Sequence, residues 1–267
     1  MEHENIVPIS PLEARQRERF ARKASQVSAK YLRRLTELPG APDALAPFVK
    51  TLGDIFVDLK DAERPKGMKT VGTYCVMVPQ ELIYAAGAMP VKLCSGSYTA
   101  FNIGDDITPR DACPLVKAVM GFETIGAMPL YENCELMVVP ITCDCKKKMA
   151  GLLAEHVPVV NLHVPSSKAR DEDLEQYVRE LYALGDKLSA LTGNVVTCER
   201  LSAASQMIAS AQLELSRFVA LKKAHPLLVK GTHAMAVMNA LSYTHMETWT
   251  RQDRKSTRLN SSHVALS

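Results

Sequence analysis

Residues 69–94 read KTVGTYCVMVPQELIYAAGAMPVKLC, with a short apolar run at each end and a helical stretch between them. The runs at 69–75 and 89–94 have the length of buried strands, and the stretch at 79–87 has the apolar spacing of a helix. A strand, a helix and a second strand in this order predict the beginning of a parallel α/β sheet.

The same alternation continues further along the chain. Apolar runs at 135–141 and 157–164 alternate with helical stretches at 113–121, 144–155 and 170–191. Strands that alternate with helices of this length are typical of βα units. We therefore predict one open parallel α/β sheet.

Helical patterns flank this sheet on both sides, at 12–37, 43–62, 199–223 and 232–245. The pattern at 12–37 is amphipathic, with a strongly basic outer face that is typical of a solvated helix surface. These patterns divide the chain into a helical N-terminal arm at 1–65, an α/β domain at 66–198 and a helical segment at 199–252.

The final residues have a different character. Residues 253–263 read DRKSTRLNSSH and have neither helical nor strand periodicity. Their reverse translation resembles read-through of a common sequencing adapter, and an ordinary Ser-rich terminus is the alternative. We predict that 253–267 are foreign to the natural protein, and that its chain continues past Gln252 into a part that is missing here.

Composition excludes several classes of protein. The 32 Lys and Arg residues and 29 Asp and Glu residues leave a formal net charge of +3, which is too small to indicate a nucleic-acid or membrane-surface partner. The apolar runs are far shorter than the about 20 residues needed to cross a bilayer, and the N-terminus lacks the pattern of a signal peptide. We therefore expect a cytoplasmic protein whose seven cysteines stay reduced.

Four of these cysteines follow the predicted strands or begin a predicted helix. Cys75, Cys94 and Cys143 come at or just after the ends of three strands, and Cys113 directly precedes Pro114 at a predicted helix start. Open α/β sheets bind ligands at the carboxyl ends of their strands. Helix N-termini also stabilise thiolates and sulfide clusters. The pattern therefore favours a metal or redox site at this edge.

The spacing alone leaves alternatives open. It matches neither the Cys-x₂-Cys pairs of zinc ribbons nor those of bacterial ferredoxins. Cys134 is either a core thiol or a ligand, and Cys145 is either a second ligand or merely a neighbour of Cys143. Cys198, on a later helix, is expected to be a small core or surface side chain.

Three segments add a resemblance to a known family. GTYCVMVPQELIYAAGAMPVKLC, DACPLVK and ITCDCKKKM, in this order, resemble the signature segments of the 2-hydroxyacyl-CoA dehydratase family, which includes benzoyl-CoA reductase subunits. The similarity covers about residues 66–165. It implies a [4Fe–4S] cluster held by Cys75, Cys113 and Cys143. It also implies paired Rossmann-like or flavodoxin-like domains, of which the second would lie beyond Gln252.

Cys94 resembles a particular branch of this family. The double-cubane iron–sulfur proteins use cysteines beyond the basic three, and a thiol in LCS after the second strand is similar to that branch. The similarity implies that Cys94, with Cys134 or Cys145, helps to hold a double-cubane [8Fe–9S] cluster. The chain departs from the branch at Met128-Pro129, where a Cys-Pro pair is expected, so the number of ligands stays open.

The resemblance also implies a function. Members of this family deliver low-potential electrons to an acyl-CoA or a small substrate under anaerobic conditions, as dehydratase-type lyases or as reductases. It implies an ATP-dependent iron–sulfur activator protein and a homodimer or heterodimer with a related subunit. No Walker motif occurs in the sequence, consistent with ATP being hydrolysed elsewhere. The alternatives are a non-catalytic electron-transfer or scaffold subunit, and a zinc-binding or metal-free α/β protein.

Overall fold

The sheet is open and entirely parallel. A computed structural model of the 267-residue chain describes residues 10–37, 43–94, 96–167, 169–224 and 230–254. The four strands are adjacent in the order β2-β1-β3-β4, with β1 at Thr70–Thr73, β2 at Met89–Lys92, β3 at Leu136–Ile141 and β4 at Val159–His163. The predicted α/β class and the parallel sheet are therefore confirmed.

Strand β1 is packed tightly between its two neighbours. Its Gly72 pairs with Val91 of β2 and with Met137 of β3. A Cβ atom at Gly72 would lie 2.4 Å from the Met137 sulfur and 2.5 Å from a methyl carbon of Leu93. Only glycine therefore fits this position without moving the neighbouring side chains.

Eleven helices longer than a single 3₁₀ turn lie within the described ranges. They are α1 (Pro11–Thr36), α2 (Ala46–Phe56), α3 (Gln80–Ala85), α4 (Tyr98–Asp105), α5 (Pro114–Ile125), α6 (Pro129–Glu132), α7 (Asp144–Leu153), α8 (Asp171–Thr192), α9 (Cys198–Ala224), α10 (Gly231–Ala240) and α11 (246–254). The sequence pattern predicts all of them except α4, α6 and α11.

Two predicted helices end earlier than their patterns suggest. Helix α2 stops at Phe56 rather than near residue 62, and Leu59 then takes a positive φ of 53°. A non-glycine residue in the left-handed region cannot continue a right-handed helix. Helix α10 stops at Ala240, and a turn separates it from α11.

Helices cover both faces of the sheet. On one face, α3 and α8 pack on the strands, with Ile83 and Leu188 in a shared core. On the other face, α5 and α7 bury Met120 and Met149 against the strands. A sheet with helices packed on both of its faces forms the three layers of an α/β sandwich.

A second apolar core joins the two ends of the described chain. Phe48 of α2 and Trp249 of α11 are fully buried, with their ring centroids 6.3 Å apart, and side chains of α9 and α10 complete the cluster. Helix α11 includes Asp253, which is buried, and Arg254, which donates a 2.9 Å hydrogen bond to Glu214 of α9. The rest of the predicted foreign segment, residues 255–267, lies outside the described residues. The foreign origin of 253–267 stays a prediction.

Helices α4 and α5 form a hairpin in unusually close contact. A Cβ atom at Gly121 of α5 would lie 1.8 Å from the carbonyl oxygen of Ala100 in α4, and one at Gly104 would lie 1.8 Å from that of Lys117. The Lys117 side chain is buried, and its ammonium donates to the carbonyl oxygen of Arg110 at 2.8 Å and to the Asp105 carboxylate. These contacts fix the loop that leads to Cys113.

Candidate metal centre at the carboxyl edge of the sheet

Three cysteines follow neighbouring strands at the same distance along the chain. Cys94, Cys75 and Cys143 each stand two residues beyond the end of their strand, in β2, β1 and β3 respectively. These strands are adjacent in the order β2-β1-β3, and the chain turns to opposite sides after β1 and after β3. The structure therefore places Cys75 and Cys143 on either side of the topological switch point, where open α/β sheets bind ligands, and Cys94 at the end of the next strand.

Two of the predicted ligands also begin helices. Cys113 is the N-cap of α5, followed by Pro114, and Cys143 is the N-cap of α7, followed by Asp144. Both thiols are exposed, and neither side chain makes a capping hydrogen bond. Because backbone N–H groups of a first helical turn have no partner within their helix, both thiols lie in the partial positive charge that stabilises a thiolate.

Cys94 lies within electrostatic range of Cys75 and of helix α7. Burial against the surrounding protein raises the pKa of the Cys94 thiol, and Lys146 opposes this rise, whereas Cys75 adds to it. Lys146 is in the first turn of α7, three residues after Cys143. Cys94 is therefore part of the same edge as the other predicted ligands.

The remaining thiols lie in different surroundings. Cys134 is buried under β1, its sulfur is 3.3 Å from the carbonyl oxygen of Leu130, and burial raises its pKa to about 12. This position favours the core alternative for Cys134. Cys145 is half-buried in the first turn of α7 and packs against the core beneath that helix.

Cys198 lies apart from the cysteine edge. It is exposed at the start of α9, where Arg200 donates a 2.7 Å hydrogen bond to the carbonyl oxygen of Ala85 at the end of α3. Since α3 runs back from the carboxyl end of β1, its last residue lies at the opposite, amino edge of the sheet. This agrees with the expectation that Cys198 is a surface or core thiol.

The donor set suits an iron–sulfur cluster, although the side chains are not gathered around one point. Within the ranges described above, no three His, Cys, Asp or Glu side chains are close enough together to hold a metal ion. Reduced thiols at a switch point, beside two helix N-termini, are nevertheless the ligand type that such clusters require. The cysteines therefore fit a cluster by their chemistry.

A carboxyl–phenol pair that includes Tyr74, the residue before Cys75, was not predicted from the sequence. The buried Tyr74 hydroxyl donates a 2.8 Å hydrogen bond to Glu123 of α5. Burial raises the pKa of Glu123 to about 7, and the Tyr74 hydrogen bond opposes this rise. The signal in the sequence is a glutamate directly after Phe122 in a helix that is mostly apolar.

Comparisons with known proteins define the class to which this fold and site belong. The family described as 2-hydroxyglutaryl-CoA dehydratase, D-component, matches residues 75–258. The chain belongs to this family of 2-hydroxyacyl-CoA dehydratase and benzoyl-CoA reductase subunits, as the resemblance implied.

Individual relatives agree with this assignment. The chain is 30% identical to the putative dehydratase subunit YjiM of Escherichia coli over 78% of its own length and 54% of that protein. It is 24% identical to the (R)-phenyllactyl-CoA dehydratase beta subunit of Clostridium sporogenes over 75% of its length and 56% of that protein. A benzoyl-CoA reductase subunit of Thauera aromatica is 23% identical over 67% of this chain and 46% of that protein. The chain thus spans about half the length of these relatives.

A membrane-spanning helix is not found in the part of the chain that the structure describes. Each helix there is either too short or too polar to cross a bilayer.

Proposed function

We propose that this chain is an iron–sulfur subunit that transfers low-potential electrons to an acyl-CoA or a small substrate. The observation that supports this most directly is the position of Cys75, Cys94 and Cys143, each two residues beyond one of three neighbouring strands. Cys113 adds a thiol at a helix N-cap. Family membership supplies the reaction types, which are dehydration by a lyase or reduction of the substrate.

The ligands of the proposed [4Fe–4S] cluster are Cys75, Cys113 and Cys143. When bound, the cluster would supply single electrons at low potential. Cys94, with Cys145 or Cys134, is the additional set for a double-cubane [8Fe–9S] cluster. The burial of Cys134 makes Cys145 the better candidate of these two.

The protein's own groups have defined tasks around this centre. The N-termini of α5 and α7 place the partial positive charge of a helix end at Cys113 and Cys143, and Lys146 places a positive charge near Cys94. Both effects stabilise negative charge on thiolates. The hydrogen bond from the Tyr74 hydroxyl to Glu123 ties the residue before Cys75 to helix α5.

Separate proteins would complete the system. We propose that an ATP-dependent iron–sulfur activator protein supplies the electron and that the chain acts in the cytoplasm as part of a homodimer or heterodimer with a related subunit. The names of the relatives support a role within a larger assembly, since one is called a beta subunit and another is one of the subunits of a reductase.

Metal content distinguishes this proposal from its alternatives. The chain is purified and reconstituted without oxygen, and iron, acid-labile sulfide and zinc are assayed per chain. About four iron atoms with matching sulfide would support a single cubane, and about eight would support the double cubane. Zinc without sulfide, or no metal, would contradict the proposal. An iron–sulfur chain that is inactive with its activator and acyl-CoA would instead indicate the scaffold alternative.

A further inference from the structure

Cys75 and Cys94 stand at the same level of two adjacent parallel strands. Strand β1 ends at Thr73 and β2 ends at Lys92, and these two end residues are register partners. Each cysteine comes two residues after the end of its strand. We propose that, when no cluster is bound, Cys75 and Cys94 form a reversible disulfide, with oxidised glutathione or another small disulfide as the oxidant.

Pairing between the two strands continues past their ends. The Leu93 N–H donates a 3.0 Å hydrogen bond to the carbonyl oxygen of Thr73 and so extends the parallel ladder. Tyr74 and Leu93 are both buried in one apolar core, and Cys75 and Cys94 directly follow them. Adjacent strands lie about 4.8 Å apart, and a disulfide needs Cα atoms about 4.4–6.8 Å apart. The register therefore suits a disulfide between these two cysteines.

The two sulfur atoms also lie within electrostatic range of each other. Burial raises the pKa of the Cys94 thiol, and charge on Cys75 raises this pKa further. Both cysteines are free, Cys94 being exposed and Cys75 half-buried. Cys94 also forms part of the wall of a cavity of about 630 Å³ beside α1. A small disulfide in solution therefore reaches Cys94 more easily than Cys75.

Neighbouring thiols lack this relationship to Cys75. On the other side of β1, Thr73 pairs with Val138 of β3, and Cys143 follows Val138 by five residues rather than two. Cys143 and Cys145 are two positions apart at the start of α7, and side chains with this spacing on a helix do not face each other. Cys94 is therefore the preferred partner of Cys75.

The disulfide forms by two exchange steps. The Cys94 thiolate attacks one sulfur of oxidised glutathione, which gives a mixed disulfide and releases one glutathione thiolate. The Cys75 thiolate then attacks the Cys94 sulfur, which breaks the mixed disulfide and releases the second glutathione thiolate. The two protons that the cysteines lose pass to the two glutathione molecules. The chain is thus oxidised by two electrons, and one oxidised glutathione is reduced to two thiols.

The disulfide withdraws two thiolates from the proposed cluster site, and this consequence rests on the proposed function. Clusters of this type are held by cysteine thiolates, so the oxidised chain lacks Cys75 as a ligand. The disulfide also protects both sulfurs from conversion to sulfinic and sulfonic acids, which thiols do not reverse. A cluster-free chain is therefore kept in a form that reduction returns to cluster assembly.

Peptide mapping tests the disulfide. The reduced, cluster-free chain is equilibrated without oxygen in mixtures of reduced and oxidised glutathione, and the remaining thiols are blocked with iodoacetamide. Trypsin cleaves after Lys92, so Cys75 and Cys94 fall in separate peptides, residues 70–92 and 93–110. A linked pair of these two peptides should be the main protein disulfide. Its fraction should not change when the chain is diluted, because the bond is intramolecular.

Variants separate this pair from general thiol oxidation. Cys94→Ser should lower the amount of Cys75 in protein disulfides by at least about tenfold and leave Cys75 as a mixed disulfide with glutathione. Cys198→Ser removes an exposed thiol at the other edge of the sheet and should leave the linked pair unchanged. In concentrated urea, pairing follows separation along the chain, so the preference for Cys75–Cys94 should fall.

The inference is overturned if the linked pair is absent at every glutathione ratio, or if Cys75 links equally well to Cys113 or Cys143. An undiminished preference in urea would also overturn it, because the register would then have no part in the pairing.

Reconstitution tests the consequence for the site. The oxidised chain should take up at least about tenfold less iron and sulfide than the reduced chain, and prior treatment with dithiothreitol should restore the uptake. Equal uptake by the oxidised and reduced chains would contradict this consequence. If neither chain takes up iron, the proposed function fails, whereas the mapped disulfide needs no metal and is judged by the peptides alone.

Discussion

The hydroxyl of Tyr131 lies 2.6 Å from the carbonyl oxygen of Leu93 and donates a hydrogen bond to it. This bond joins the single turn of α6 to the carboxyl end of β2, one residue before Cys94. The Tyr131 ring also stacks on Phe122, with the centroids 5.2 Å apart. One side chain therefore connects the cysteine edge to the core of α5.

Replacing this tyrosine isolates the contribution of the hydroxyl. Tyr131→Phe keeps the ring stack and leaves the Leu93 carbonyl without its donor, so the free energy of unfolding should fall by about 1–2 kcal/mol. Alkylation of Cys94 should also become faster. Urea denaturation and thiol labelling measure the two effects. Tyr182→Phe on α8 is the control, because its side chain is 75% exposed; an equal loss in both variants would contradict the role of the bond.

The close contact between α4 and α5 predicts opposite effects at two helical glycines. Gly121→Ala would place a Cβ atom 1.8 Å from a backbone oxygen, so the helices must separate and stability should fall by about 1–3 kcal/mol or more. Gly151→Ala in α7 meets nothing within 4 Å and should stabilise by up to about 1 kcal/mol through helix propensity. Thermal melts compare the two. Stabilisation by both substitutions would show that α4 and α5 are not in such close contact.

Glu123 predicts a dependence of stability on pH. Its pKa is raised from 4.5 to about 7 in the folded chain, so the folded state binds more protons between these values. The stabilisation that protonated Glu123 gives to the folded state is therefore fully present below pH 4.5 and is lost as the pH rises through about 7.

Glu123→Gln removes this titration. The fall in melting temperature between about pH 5 and about pH 8 should be smaller in the variant than in the wild type. Glu155→Gln provides a control at an exposed position after α7. Parallel melting curves for wild type and Glu123→Gln would show that Glu123 titrates normally.

If Cys113 is a cluster ligand and Cys198 is not, replacing these two cysteines should change the iron and sulfide content to different extents. Cys113→Ser should remove about half or more of the iron and sulfide after anaerobic reconstitution, because serine is a poor cluster ligand. Cys198→Ser should leave both unchanged, since that thiol lies at the opposite edge of the sheet. Circular dichroism of both variants checks the fold. Equal losses from both would indicate general instability rather than ligation.

The strands were predictable because their signals are local. The buried runs and the cysteines that follow them are contiguous in the sequence, so the parallel sheet and the position of Cys75, Cys94 and Cys143 at one edge could be read directly. Helix α4 could not, because it contains Asn102 and Gly104, which are poor helix formers. Its stability comes from Ser97, whose side chain accepts from the Ala100 N–H, and from packing on α5.

The Tyr74–Glu123 pair and the cavity beside Cys94 depend on contacts between distant parts of the chain. Tyr74 and Glu123 are 49 residues apart, and the cavity, of about 630 Å³, is lined by side chains of α1, α2, α4 and α6. Neither relationship leaves a periodic pattern in the sequence. A basic amphipathic helix such as α1 predicts a solvated face, and only its packing shows that another face borders this cavity.

The two glycines that allow α4 and α5 to touch also have a mechanical consequence. Backbone carbonyl oxygens meet glycine Cα atoms at two levels of the hairpin, and Lys117 connects α5 to the loop after α4. These contacts hold the two helices together as one unit, with Cys94 shortly before its first helix and Cys113 at the N-cap of its second. A substitution that shifts α4 against the sheet is therefore expected to shift Cys113 as well, because the contacts at both glycines and at Lys117 hold the two helices together.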